Sequence, residues 1–68
     1  MKELRITMVS GIVYHVKNNI SNKISLMNTV FGILSTQNVV SELELVEPNE
    51  YGATSVFITS PNVVSIEW

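Results

Sequence analysis

Alternating apolar and polar positions open the chain. Residues 4–8 alternate, and residues 12–17 alternate again, which predicts two strands that each bury one face. A two-residue loop between them would mix the faces, whereas a three-residue loop at 9–11 gathers six apolar side chains on one face. The resulting pairs are Met8–Ile12, Ile6–Tyr14 and Leu4–Val16. Gly11 then ends the loop, where a positive φ is needed, so we predict a hairpin with that register.

A helical period follows in the middle of the chain. Apolar residues recur at helical spacing, and three more widen the stripe they form. The stripe is Ile20, Ile24, Met27, Phe31 and Leu34, widened by Leu26, Val30 and Ile33. We predict one helix from about residue 20 to 37, capped by Ser21 or Asn19. Because it is apolar around most of its circumference, we expect a sheet on one side and a second subunit on the other. Gly32 within it indicates either close packing or a bend.

The last third of the chain reads as strands separated by turns. Residues 41–46, 54–59 and 63–68 are rich in strand formers, and the turns at 47–52 and 60–62 contain Pro48, Gly52 and Pro61. The element order is β-β-α-β-β-β. We therefore predict a single α+β domain over residues 1–68, with a small antiparallel sheet and one helix packed on it.

Composition narrows the class of protein. The chain has 68 residues, of which 46% are hydrophobic, and it has no cysteine. A domain this small buries only about 60% of its unfolded surface, so its stability is marginal. Its apolar runs are shorter than the roughly 20 residues of a membrane span. No signal-peptide pattern follows the mixed charges of residues 1–5, and we expect no membrane contact.

Charge is distributed unevenly along the chain. Residues 1–34 carry four basic side chains against one glutamate, while residues 35–68 carry five glutamates and no base. Two interpretations remain open. Either the two halves pair their charges across strands or simply expose them to solvent, or the surface is bipolar and favours association with a subunit or a charged partner.

Two stretches carry a family resemblance. The first has the pattern Ile6-Thr7-Met8-x-x-Gly11-x-x-Tyr14-x-Val16, and the second is Ile58-Thr59-Ser60-Pro61-Asn62-Val63-Val64-Ser65-Ile66-Glu67. They cover roughly the first and last quarters of the chain. The sequence resembles small uncharacterised proteins of phages and prophages of Gram-positive bacteria. This resemblance implies a cytoplasmic phage-type accessory protein and carries no catalytic residues.

The residues offer little catalytic chemistry. His15 is the one histidine, there is no aspartate, and the predicted register turns His15 outward opposite Arg5. No serine lies in a G-x-S-x-G elbow, and the three glycines stand apart from one another. Glu42 and Glu44 share one strand face, which we interpret as solvated. We therefore expect no catalytic residue, no cofactor and no metal site, and we predict that the protein is not an enzyme.

The leading hypothesis is a non-enzymatic protein-interaction module, a phage-type accessory protein that binds and modulates a host or phage protein. Tyr51 and Trp68 are the expected exposed aromatic residues, whereas Tyr14, Phe31 and Phe57 are assigned to the core. The candidate interaction surface consists of Val30, Ile33, Tyr51 and Trp68. Covering the remaining side of the helix predicts a homo-oligomer, at least a dimer, with the Val30 and Ile33 side and Trp68 as contacts.

The alternative is a small β-domain that binds RNA or DNA. Its contacts would be the basic side chains on the outer face of the first hairpin, namely Lys2, Arg5, His15 and Lys17. The pI of about 5.1 and the lack of an exposed aromatic pair beside these cations argue against it.

Overall fold

The computed structural model describes residues 3–68 and contains one helix and five strands. The elements are β1 (Leu4–Met8), β2 (Val13–Val16), α1 (Ile20–Leu34), β3 (Val40–Glu44), β4 (Ser55–Thr59), a 3₁₀ turn (Ser60–Asn62) and β5 (Val63–Glu67). The α+β class and the order β-β-α-β-β-β are confirmed. Lys2, one of the residues assigned to nucleic-acid contact, lies outside the described residues.

The first hairpin has the predicted register. Leu4 pairs with Val16 and Ile6 with Tyr14, while the backbone N–H of Met8 donates to the carbonyl of Ile12 at 2.9 Å. Gly11 has a φ of 91°, which confirms the three-residue loop. The six apolar side chains predicted to share one face of the hairpin are not all buried. Four of its six side chains are buried and Tyr14 is half-buried, but Ile12 is exposed because it lies in the loop rather than in β2.

The strands form two antiparallel sheets rather than one. The first has the order β2-β1-β5, and the second pairs β3 with β4. A single bridge between Val16 and Leu45 joins them, flanked by backbone hydrogen bonds from Lys17 to Glu44 and from Val46 to His15. The end of β2 therefore meets the end of β3, and this junction lies next to the start of α1.

Helix α1 begins after Asn19, one of the two predicted caps, and ends before the predicted residue. The side chain of Asn19 accepts from the backbone N–H of Asn22 at 2.8 Å, so Asn19 is the cap. The helix ends at Leu34, three residues before the predicted end. Thr36 takes a left-handed conformation with φ 54°, and the N–H of Gln37 then donates to the carbonyl of Gly32 at 2.8 Å. This bond closes the last turn and turns the chain out of the helix.

The core takes most of its side chains from the strands. Its members are Leu4, Ile6, Met8, Val16, Leu26, Leu43, Leu45 and Ile58, with Tyr14, Val56, Val63 and Ile66 packed against them. Helix α1 contributes one large apolar side chain to this buried cluster, Leu26. The assignment of Phe31 and Phe57 to the core is therefore wrong, since they are 63% and 70% exposed.

Candidate interaction surface

The side of α1 that faces the sheets is polar, and the side chain of Asn22 joins it to them by hydrogen bonds. The buried Asn22 amide donates to the carbonyls of Lys17 at 2.8 Å and Glu44 at 2.9 Å, and it accepts from the backbone N–H of Glu44 at 2.9 Å. These bonds tie the first turns of α1 to the junction between the two sheets. Because both donors and the acceptor of the amide have fixed partners, they set the rotation of the helix as well as its position.

Hydroxyl groups continue this contact two turns further along. Thr29 Oγ1 donates to the carbonyl of Ser25 at 3.0 Å and lies 2.9 Å from the hydroxyl of Ser41 on β3. Thr29 and Ser41 are both buried. Their mutual hydrogen bond satisfies polar atoms that would otherwise be costly in the interior.

Gly32 completes the buried face and confirms the close-packing interpretation. A Cβ added at Gly32 would lie 2.7 Å from Val39 Cγ2 and 2.9 Å from Ser60 Oγ. Ser60, which is buried, accepts from the N–H of Val39 at 3.0 Å and donates to the carbonyl of Gln37. The end of α1 therefore rests directly on the segment that precedes β3 and on the 3₁₀ turn.

The opposite side of α1 is apolar and exposed. Its large side chains recur at spacings of four, three, four and three residues, the 3.5-residue period of a helix that packs along another helix. They are Ile20 (74% exposed), Ile24 (58%), Met27 (48%), Phe31 (63%) and Leu34 (76%). We call these five residues the apolar stripe. If one large apolar side chain spans about 150–200 Å², the stripe leaves roughly 500 Å² in water, the size of patch that is often functional on a monomer.

The sequence reveals the stripe but not its exposure. The helical period identifies these five side chains, but it does not show that Phe31 lies outside the core. A second period on the same helix, carried by the short polar residues Asn22, Ser25 and Thr29, was the signal that could have reversed this assignment. Short side chains allow a helix to approach a sheet closely, and amides and hydroxyls can bond to it.

The residues predicted as an interaction surface belong to three elements. Val30 is half-buried at the flank of the apolar stripe, and Ile33 is exposed beside Ser60 and Pro61 in a groove of about 270 Å³. Tyr51 lies in the loop between β3 and β4, and Trp68 follows β5. The prediction that both aromatic side chains are exposed is confirmed, at 86% and 50%.

Of the residues predicted to touch nucleic acid, the three that the structure describes each lie beside a carboxylate. Arg5 lies 2.7 Å from Glu67, Lys17 lies 2.9 Å from Glu44, and His15 Nδ1 lies 2.7 Å from Glu3. His15 is exposed opposite Arg5, as the register predicts. The pairs of Arg5 and Lys17 join the basic first half of the chain to the acidic second half, which confirms the charge-pairing interpretation. This face therefore presents mixed charge to a phosphate backbone.

A depression of about 400 Å³ adjoins the Glu3–His15 pair and also contacts Tyr14 and Glu47. Within residues 3–68, no group of three or more His, Cys, Asp or Glu side chains is placed to hold a metal ion. Glu42 and Glu44 are exposed on the outer face of β3, as predicted.

Across the part of the chain that the structure describes, no helix is both long enough and apolar enough to span a membrane. Comparisons of the chain with protein-family models, with curated proteins and with solved structures found no match.

Proposed function

We propose that this chain is a non-enzymatic protein-interaction module and that the apolar stripe of α1 is its binding surface. The observation that carries the proposal is that all five members of the stripe are exposed while the polar side of the same helix is buried. In line with the sequence resemblance, we assign the module to the phage-type accessory proteins, acting in the cytoplasm on a host or phage protein.

The size of the stripe supports a bound partner. At about 25 cal/mol per Å², covering 500 Å² of apolar surface corresponds to a gross gain on the order of 10 kcal/mol. The whole free energy of unfolding of a small domain is of similar size, about 5–15 kcal/mol. In the monomer this free energy of apolar burial is not gained. A partner that covers the stripe best explains such a helix orientation.

The spacing of the stripe also supports a class of partner. Side chains that recur every 3.5 residues line up along one edge of a helix and insert between the side chains of a second helix. We therefore propose a helical partner surface with large aliphatic side chains. Nucleic-acid binding receives less support, because Arg5, His15 and Lys17 already have carboxylate neighbours.

Photo-crosslinking tests the proposal without requiring the partner to be known. The photoreactive residue p-benzoylphenylalanine is placed either at Phe31 on the stripe or at Phe57 on β4, which is equally aromatic and as exposed. On irradiation in the cytoplasm of a Gram-positive host, we expect protein adducts from position 31 and few or none from position 57. Equal adducts from both positions, or none from position 31, would contradict the proposal.

A further inference from the structure

We infer that the partner of the apolar stripe is a second copy of this chain, packed antiparallel so that the two Met27 side chains meet at the centre. This inference rests on the proposed function, because it names the occupant of the same surface. The stripe is symmetric about Met27, with Ile24 and Phe31 on either side of it and Ile20 and Leu34 at the ends. An antiparallel pair therefore sets Ile20 against Leu34 of the partner subunit and Ile24 against Phe31 of the partner subunit.

Charge along α1 favours a copy of itself over a charged partner. Lys23 is the single charged residue in the helix, the first turn has no acid and the last turn has no base. A parallel pair would bring together two positive helix ends and two Lys23 side chains. An antiparallel pair instead places each Lys23 near the negative C-terminal end of the other helix. With a single charge, the helix offers few ion pairs to a charged partner. Its Lys23 is instead complemented by the C-terminal end of an antiparallel second copy.

The area available matches a dimer that forms reversibly. Two stripes of roughly 500 Å² bury about 1,000 Å² in total, which is the lower limit for a specific interface. Each helix is already held by the bonds of Asn22 and the Thr29–Ser41 contact, so association does not have to order it. We therefore expect a dissociation constant in the micromolar range, on the order of 1–100 μM.

Sedimentation equilibrium from 1 μM to 1 mM measures the association. Wild-type protein should pass from 7.6 kDa to twice that mass over this range, and F31E should remain at 7.6 kDa throughout. The control F57E places the same charge on an equally exposed aromatic position and should associate like wild type. A wild-type mass that stays at 7.6 kDa to 1 mM, or equal loss of association in both variants, would overturn the inference.

Disulfide trapping determines the orientation, and the cysteine-free chain makes it simple. Ile20 and Leu34 are 14 positions apart, about 21 Å along the helix axis. On mild oxidation, a mixture of I20C and L34C should form the mixed disulfide, while I20C alone should form little dimer. Rapid homodisulfide formation by I20C alone, with no mixed product, would overturn the antiparallel arrangement.

These outcomes separate the inference from the proposed function. If wild-type protein is monomeric but position 31 still crosslinks to a different protein, the second copy is wrong and the interaction module stands. If the dimer forms and position 31 crosslinks in cells only to the chain itself, the contact between copies stands, but the proposed action on another host or phage protein fails.

Discussion

A surface helix usually buries its apolar side and exposes its polar side, and the two sides of α1 have the reverse arrangement. The side against the sheets carries the Asn22 amide, the Thr29 hydroxyl and Gly32, with Leu26 as its one large apolar side chain in the core. The side toward water carries five large apolar residues. Hydrogen bonds are directional, so the polar side fixes one rotation of the helix. Apolar contact is not directional, and the stripe is left facing water.

Among changes to the two sides of α1, removal of the Asn22 side chain from the polar side should destabilise the protein most. In N22A, the carbonyl of Lys17 and the N–H of Glu44 lose their partner at a buried site, while the carbonyl of Glu44 keeps the N–H of Lys17. With about 1–3 kcal/mol for each unsatisfied group that stays dry, we expect a loss of about 3 kcal/mol in the free energy of unfolding. Urea unfolding followed by circular dichroism measures it.

The matched control for that variant is N28A, which shortens an exposed asparagine on the same helix. It should change the free energy of unfolding by less than about 0.5 kcal/mol. If N22A costs no more than N28A, the buried amide does not hold the helix, and the account of the polar side is wrong.

A smaller effect is expected at Gly32. An alanine at an open helix position would stabilise the protein by about 1 kcal/mol through helix propensity. Here the new methyl group would overlap Val39 and Ser60, so we expect G32A to lower the free energy of unfolding by about 1–2 kcal/mol. The sign of the change in the free energy of unfolding is the test. If G32A is more stable than wild type, α1 does not approach the 3₁₀ turn closely.

The sequence predicts the first hairpin well because its information is local. The two-residue period and the glycine at position 11 together determine which residues pair across β1 and β2. The element order follows from similar local signals. The turn around Gly52, which has a φ of 80°, is another feature that a nearby residue pattern is enough to predict.

The rotation of α1 depends on residues distant in sequence and could not be predicted in the same way. A helical period shows which side chains share a face but not what covers that face. Asn22 contacts Glu44, Thr29 contacts Ser41, and Gly32 faces Ser60. These pairings exist only once β3 and the 3₁₀ turn have come together. The division into two sheets has the same origin, because the bridge of Val16 to Leu45 joins segments 29 positions apart.

Helix α1 buries its polar side and exposes its apolar side, and thiol labelling tests this orientation most directly. Single cysteines are introduced as I24C on the stripe and T29C on the buried side, at submicromolar concentration where a micromolar dimer is dissociated. Each labelling rate with a maleimide is compared with that of the same variant in urea. We expect I24C to react within about tenfold of its unfolded rate, and T29C to react at least about 100-fold more slowly than its own, because it must await local opening. Fast labelling of T29C together with protection of I24C would contradict the account.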